Sequence, residues 1–176
     1  MVVTDDKAIF EKCRLYSVNS QTSAYVANVS GSNRLMINVC AAIGLAQLSK
    51  KEVIIEAKAQ IFKNYDEVLS VLDQAELAPK YHKSFKSNNW IYYFFLHGLG
   101  SGTDFVDYFS RYKIQARTFW RVLPDEPAYQ GFNSYGKSGA QEAAKRIVCL
   151  PSGAQLSASE QNFVTDVLKK YFASDV

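Results

Sequence analysis

The 176-residue sequence contains only two histidines, three cysteines and four prolines. His82 and His97 stand at no ligand spacing from each other or from a cysteine, which excludes a zinc site. Cys13, Cys40 and Cys149 are odd in number, far apart and set in apolar or helical contexts. They read as the reduced, packed thiols of a cytoplasmic protein. No uninterrupted apolar run approaches the roughly 18 residues a membrane span needs. The opening Met-Val-Val-Thr-Asp-Asp has no basic region followed by an apolar stretch, so neither a signal peptide nor a helical anchor is expected. A block of one charge is also missing. The 20 basic and 17 acidic side chains are interspersed and leave a net +3, which calls for neither nucleic acid nor an anionic membrane.

What is present is 48% hydrophobic and 14% aromatic, enough for one well-buried core. Residues 1–4 predict a strand that turns at Thr4-Asp5-Asp6 into a helix bearing Ile9, Phe10, Cys13 and Leu15. Residues 17–32 show no sustained period and predict a long loop. From Ser32 to Pro79 apolar residues recur at steps of three and four (Met36, Val39, Ile43, then Val53, Ala57, Ile61, then Tyr65, Val68, Leu72). That is helical spacing, in one long bent helix or in two that meet at the polar Ser49-Lys50-Lys51-Glu52. Beyond Pro79, residues 90–96 predict a buried strand. A helix capped by Thr103 and a second strand over 114–120 follow. Helices then start at the capping-box spacings Ser138–Gln141 and Ser157–Glu160. Strand, helix, strand, helix, helix makes the second half an α/β layer carried on a long helix.

Gly98-Leu-Gly-Ser-Gly102 lies between a strand and a helix, where a dinucleotide fingerprint would lie. The sixth position is Thr103, not glycine, so the segment reads as a turn. No Ser/His/Asp or Cys/His set can be assembled. His82 sits in a polar, lysine-rich stretch and His97 closes a strand, so both read as surface or strand-end residues. Arg117-Thr-Phe-Trp-Arg121 is the better candidate, because it ends a strand just before the irregular Leu123-Pro-Asp-Glu-Pro127. A guanidinium there can pair with phosphate or carboxylate, and an indole can stack on a base or sugar.

Several stretches together resemble the DegT/DnrJ/StrS family of sugar aminotransferases. Gly31-Ser-Asn-Arg-Leu-Met36 followed by Ala41-Ala-Ile-Gly-Leu-Ala-Gln-Leu48 is similar to that family's G-x-N-x-R-M segment and its A-A-I-G-x-A-Q-L helix. Ser87-Asn-Asn-Trp90, Arg117-Thr-Phe-Trp120 and Arg146-Ile-Val-Cys-Leu-Pro-Ser152 resemble successive landmarks of its C-terminal domain, above all in bacillosamine-type and legionaminic-acid-type members. Leu35 stands where the family has arginine, Cys40 where it commonly has glutamine, and the histidine often found after R-x-x-W is replaced near Pro124.

The resemblance implies the C-terminal portion of a pyridoxal 5'-phosphate enzyme of fold type I: the end of the large domain (1–33), an interdomain helix or helix pair (34–78) and an α/β small domain (79–176). It implies amino transfer from glutamate to a keto sugar nucleotide for surface polysaccharide or O-antigen. Asn33 is implied to reach the cofactor phosphate of a neighbouring subunit, and Arg117 and Trp120 to hold the sugar nucleotide. The family's cofactor-binding lysine lies upstream of the matching segment, and none of the fourteen lysines here fits its motif. No catalytic residue is therefore assigned. Activity is expected only if the missing half is supplied, and the partners implied are a second copy of the chain or a complementing N-terminal half. The alternative is a non-catalytic module that binds nucleotide sugars or dimerises.

Overall fold

The computed structural model describes residues 2–19, 21–23, 26–27, 29–79, 84–98 and 100–174. The chain divides into two compact units, Met1–Lys50 and Lys51–Val176. The boundary falls at the polar seam of the helical stretch.

In the first unit, α1 (Lys7–Ser17) starts where the acidic pair predicts. Asp6 Oδ1 accepts from the amides of Ala8 (2.8 Å) and Ile9 (3.1 Å), two donors that the first turn leaves open. Residues 2–4 form no strand, contrary to expectation, since no segment pairs with them among the described residues. The expected loop over 17–32 is instead partly a small antiparallel ladder. Its strands are β1 (Gln21–Ser23) and β2 (Val26–Ala27), too short to show any period in the sequence. Asn33 bridges antiparallel to Val18. The amides of Ser32 and Arg34 donate to the carbonyls of Tyr16 and Ser17, which lays this segment along the end of α1. Helix α2 (Asn38–Ser49) closes the unit and is capped at Lys50. The helical stretch is thus two helices, not one.

The second unit begins with α3 (Lys51–Leu69), whose Ile61, Tyr65 and Leu69 are buried at four-residue steps. It continues with β3 (Ala75–Leu77), β4 (Tyr92–Leu96), α4 (Gly102–Arg111), β5 (Arg117–Thr118), two 3-10 turns (Leu123–Asp125 and Pro127–Tyr129), α5 (Lys137–Arg146), β6 (Ile147–Leu150) and α6 (Ala158–Ala173). The sheet order is β3-β4-β6-β5, antiparallel throughout. Two of its strands were not expected. β3 has only three residues, and β6 follows α5 without a break. All four residues of β6 are buried, as befits a central strand covered on both faces. In β4, Tyr92, Phe94 and Leu96 face the core built by α3, α4 and α6. Phe105 stacks on Phe109 at 4.2 Å and meets Tyr171 edge-on at 5.0 Å. Such pairs contribute about 0.5–1.5 kcal/mol each beyond their burial.

Three expected boundaries change. The cap of α4 is Ser101 and not Thr103: Ser101 and Asp104 have the three-residue spacing of a capping box, with the Ser101 amide donating to Asp104 Oδ2 at 2.7 Å. The helix expected from a box at Ser138 starts earlier, on Gly136 at φ +61°, and the Gln141 amide reaches Asp125. The strand expected over 114–120 is only Arg117–Thr118, because the Ala116 amide turns back onto the Ile114 carbonyl. The Ser157–Glu160 box forms as the spacing predicts. In the glycine segment, Gly98 and Gly100 take positive φ, at +69° and +34°. Gly102 is buried where a Cβ would lie 3.2 Å from Thr118 and 3.3 Å from the Lys145 carbonyl, so glycine lets α4 approach its neighbours closely.

Candidate functional site

Helix α3 supplies one wall of a cleft in the second unit. Lys58, Phe62 and Asp66 recur every four residues and share one helix face. Lys58 Nζ donates to the Ser152 carbonyl at 2.6 Å and to the Trp90 carbonyl at 3.0 Å. Burial draws the Lys58 pKa below the ordinary lysine value. Its ammonium thus ties two loops to α3. Asp66 Oδ1 accepts from the Tyr92 hydroxyl at 2.7 Å. Burial, followed by the Asp66 carboxylate, raises the Tyr92 pKa, so the phenol stays a donor. Tyr65 gives its hydroxyl to the Pro151 carbonyl at 2.9 Å, and Ser152 Oγ accepts from the Tyr92 amide at 3.2 Å. These bonds fix residues 87–92 and 151–152 against the helix.

Trp90 is held in this way by its backbone and leaves its indole in solvent, 66% exposed. Trp120, 57% exposed, lies beside it with ring centroids 5.7 Å apart and planes at 31°. Phe119 meets Trp120 edge-on at 4.6 Å and Tyr93 at 5.6 Å. The two indoles and Phe119 line a cleft of about 400 Å³ that also takes in Phe62, Asp66 and Asn88. A second cleft of about 390 Å³ also has Phe119 and Trp120 in its lining, takes in the first turn of α4, and includes Arg121, Asp125, Gln141 and Lys145. Its cations are already matched. Arg121 pairs with Glu126 at 3.6 Å and Lys145 with Glu142 at 2.8 Å. Gln141 donates to both Asp125 oxygens, at 2.7 and 2.8 Å.

Of the residues singled out in the sequence, Trp120 is the shared wall of both clefts. Arg117 lies on β5 opposite Cys149, exposed and outside the lining of either cleft. Burial pushes the Cys149 thiol up to about 11, with Arg117 pulling weakly the other way. Cys149 is packed, as its context suggests. Cys40 is exposed on α2, which corrects its reading as a packed residue. Asn33 belongs to the first unit and is exposed, its backbone bridged to Val18. His97 ends β4 as expected and joins Glu76 at 2.7 Å and Arg146. His82 lies outside the described residues.

Trp90, Asp66 and Lys58 join the cleft although no local motif marks them. The four-residue spacing of Lys58, Phe62 and Asp66 was a readable signal for a common face. What that face meets, residues 90 and 152, is set by long-range packing that no local pattern carries.

Residues 1–169 match the DegT/DnrJ/EryC1/StrS aminotransferase family. The chain belongs to that family. Among its relatives is EpsN of Bacillus subtilis (strain 168), named as a pyridoxal phosphate-dependent aminotransferase. It is 31% identical over 178 residues, covering 98% of this chain and 46% of EpsN. GDP-perosamine synthase of Escherichia coli O157:H7 is 26% identical over 179 residues, covering 98% and 47%. The aminotransferase TlmJ from Streptoalloteichus hindustanus shares the fold with a TM-score of 0.84 at 20% identity, over 96% of this chain and 46% of TlmJ. The chain spans about half the length of the relatives it matches, and it corresponds to a C-terminal portion of the family's enzymes.

The family's cofactor tests the residues present. Asn33, which the resemblance assigns to the cofactor phosphate, is exposed, as are its neighbours. Lys58 has its ammonium committed to two carbonyls, and Lys145 is paired with Glu142. Neither of these two amines is free to meet a cofactor carbonyl.

Proposed function

We propose that the chain is the C-terminal part of a pyridoxal phosphate-dependent aminotransferase that transfers an amino group from glutamate to a keto sugar nucleotide in the cytoplasm, for surface polysaccharide or O-antigen. The observation that carries this is the family match over residues 1–169 together with relatives about twice as long. In that reading residues 1–33 end the large domain, 34–78 form the helix pair and 79–176 the small domain. Asn33 donates to the cofactor phosphate, while Arg117 and Trp120 hold the sugar nucleotide. The cofactor supplies the electron sink for amino transfer. This chain's residues bind and orient.

The 176 residues alone are inactive in this reading, for want of the lysine half. Helix α2 supports a requirement for another surface. It carries no charged residue, and its Val39, Ile43, Leu45 and Leu48 are all exposed. A helix apolar all round belongs in an interior. A complementing N-terminal half or a second copy would cover it. The test is co-expression with a lysine-bearing N-terminal half taken from EpsN. A stable complex that retains bound cofactor and turns over a keto sugar nucleotide with glutamate is expected. Two halves that fail to associate would refute the reading. Association and sugar-nucleotide binding without cofactor or turnover would favour the binding-module alternative, which the same exposed helix supports.

A further inference from the structure

The two units differ in what holds each of them together. The buried apolar cluster runs from Ile61 to Phe172 and lies wholly in the second unit. Among the described residues of the first unit none is buried. Its helices α1 and α2 have 11 and 12 residues, a length at which an isolated helix is marginal in water. Ordering a backbone costs entropy that burial must offset. The second unit offsets it with its own core, and the first unit has none.

The side chains of α2 show what kind of cover it takes. The helix has no charge, and its polar residues Asn38, Gln47 and Ser49 sit in its first and last turns. Val39 and Ile43, four positions apart, share one face, while Leu45 and Leu48, three apart, share another, and all four are exposed. At about 3.6 residues per turn, the step from Ile43 to Leu45 rotates the helix by about 200°. The two pairs therefore point to opposite sides. Leu35, Met36 and Ile37, exposed just ahead of the helix, lengthen the apolar stretch. A second copy laid helix against helix covers one stripe of each and leaves the other pair in water. A membrane surface fails for the same reason, because a helix lying there needs a polar face. Enclosure from both sides removes all four side chains from water. α1 differs, since Lys7, Glu11 and Arg14 at helical spacing give it a charged side, which suits the outside of such a partner.

We propose that α2 is an interior segment of the complementing half: α1 and α2 fold on that partner, which encloses α2 on both sides, while the second unit folds without it. A second copy of the chain is thereby set aside as the cover of α2. This assignment rests on the reading of the chain as the C-terminal part of a longer aminotransferase. The family match runs through α2, and the relatives carry about as much chain again.

Amide hydrogen exchange of the full 176-residue chain, at a dilution where sedimentation finds it monomeric, reads the two units separately. In the chain alone, amides of β4, β6 and α6 should exchange at least about a thousandfold more slowly than in unstructured peptide, and those of α1 and α2 within about tenfold of it. With the lysine-bearing N-terminal half of EpsN added, α1 and α2 should slow by at least about a hundredfold and the second unit should not change. Ile43→Asp and Leu48→Asp put a charge on opposite sides of α2. Each alone should weaken association with that half by at least about tenfold, with exchange in α6 unchanged to show that the second unit still folds. Strong protection of α2 in the monomeric chain would overturn the coupled folding. Protection that grows with concentration of the chain alone, or a complex that tolerates either substitution, would overturn the enclosure in favour of a seam. Halves that do not associate at all bring down the wider reading as well. Halves that associate and turn over while either substitution is tolerated bring down the enclosure alone.

Discussion

Helices α2 and α6 are both rich in apolar side chains, yet the structure uses them in opposite ways. In α6, Val164, Val167, Leu168, Tyr171 and Phe172 are buried against the sheet. In α2 no residue is buried, although the helix is the more apolar of the two and carries no charge. The difference lies in pattern. α6 alternates an apolar stripe with Glu160, Asp166, Lys169 and Lys170, so one face meets a core and the other meets water. α2 has no polar face to offer water. α6 closes a core that its own chain completes, and α2 is written for surroundings that the described residues do not supply.

Truncation is the most direct way to break this contrast, and the largest effect is expected in α6. Leu168 is 0% exposed and Leu48 is 65% exposed. Leu168→Ala should cost about 2–5 kcal/mol of unfolding free energy, from lost transfer and the cavity left behind. Leu48→Ala in the same chain should stay within about 0.5 kcal/mol. Urea unfolding of both variants measures the two. In a complex that covers α2, Leu48→Ala should rise toward the core value. A large Leu48 effect in the chain alone would mean that α2 is already buried in solution, by self-association visible in sedimentation.

What the sequence made legible follows the same division. The α6 cap was readable because Ser157 and Glu160 satisfy each other within one turn. The helix pair was readable because apolar period and a polar seam at Lys50 are local. β3 and β6 were not: one has three residues, and the other adjoins α5 without turn residues. Their existence depends on β4 lying between them. Trp120 was found as a strand-end aromatic, but its partnership with Trp90 joins residues thirty apart and is fixed by packing. Unbroken local rules located elements, and the cleft arose from their assembly.

Lys58 probes that assembly at intermediate cost. Lys58→Met keeps the stem and strands the Trp90 and Ser152 carbonyls, at about 1–3 kcal/mol. Trp90 should become more mobile. Indole emission should shift red and acrylamide quenching should increase, with Lys58→Arg restoring part of both. No change in emission would show that the ammonium does not hold the wall. The thiols give a kinetic contrast between the units. Cys40 on α2 should react with a disulfide reagent at mildly alkaline pH in native protein. Cys149, with its thiol pushed up to about 11 by burial, should react only on unfolding. Equal rates would place both thiols in the same environment and erase the contrast.

The smallest expected effect is a pH dependence confined to the second unit. Glu76 accepts from His97 and from Arg146, and these partners, His97 first, hold its carboxyl below the usual glutamate range. A carboxylate with a depressed folded-state pKa stabilises the fold above its unfolded value. That contribution is lost as the pH falls through the lower folded value. Because Glu76 is exposed and its pairs are screened, the contribution is small and should shrink further in salt. Glu76→Gln should therefore flatten the acid limb of unfolding for the second unit between mildly acidic pH and the depressed value, by lowering stability slightly near neutrality and leaving it unchanged below that value. In the first unit the Lys7–Glu11 pair stands at 3.8 Å in solvent, and Glu11→Gln serves as the control for loss of one negative charge. An equal change from both substitutions would show that the acid response reports net charge instead of the contacts of Glu76.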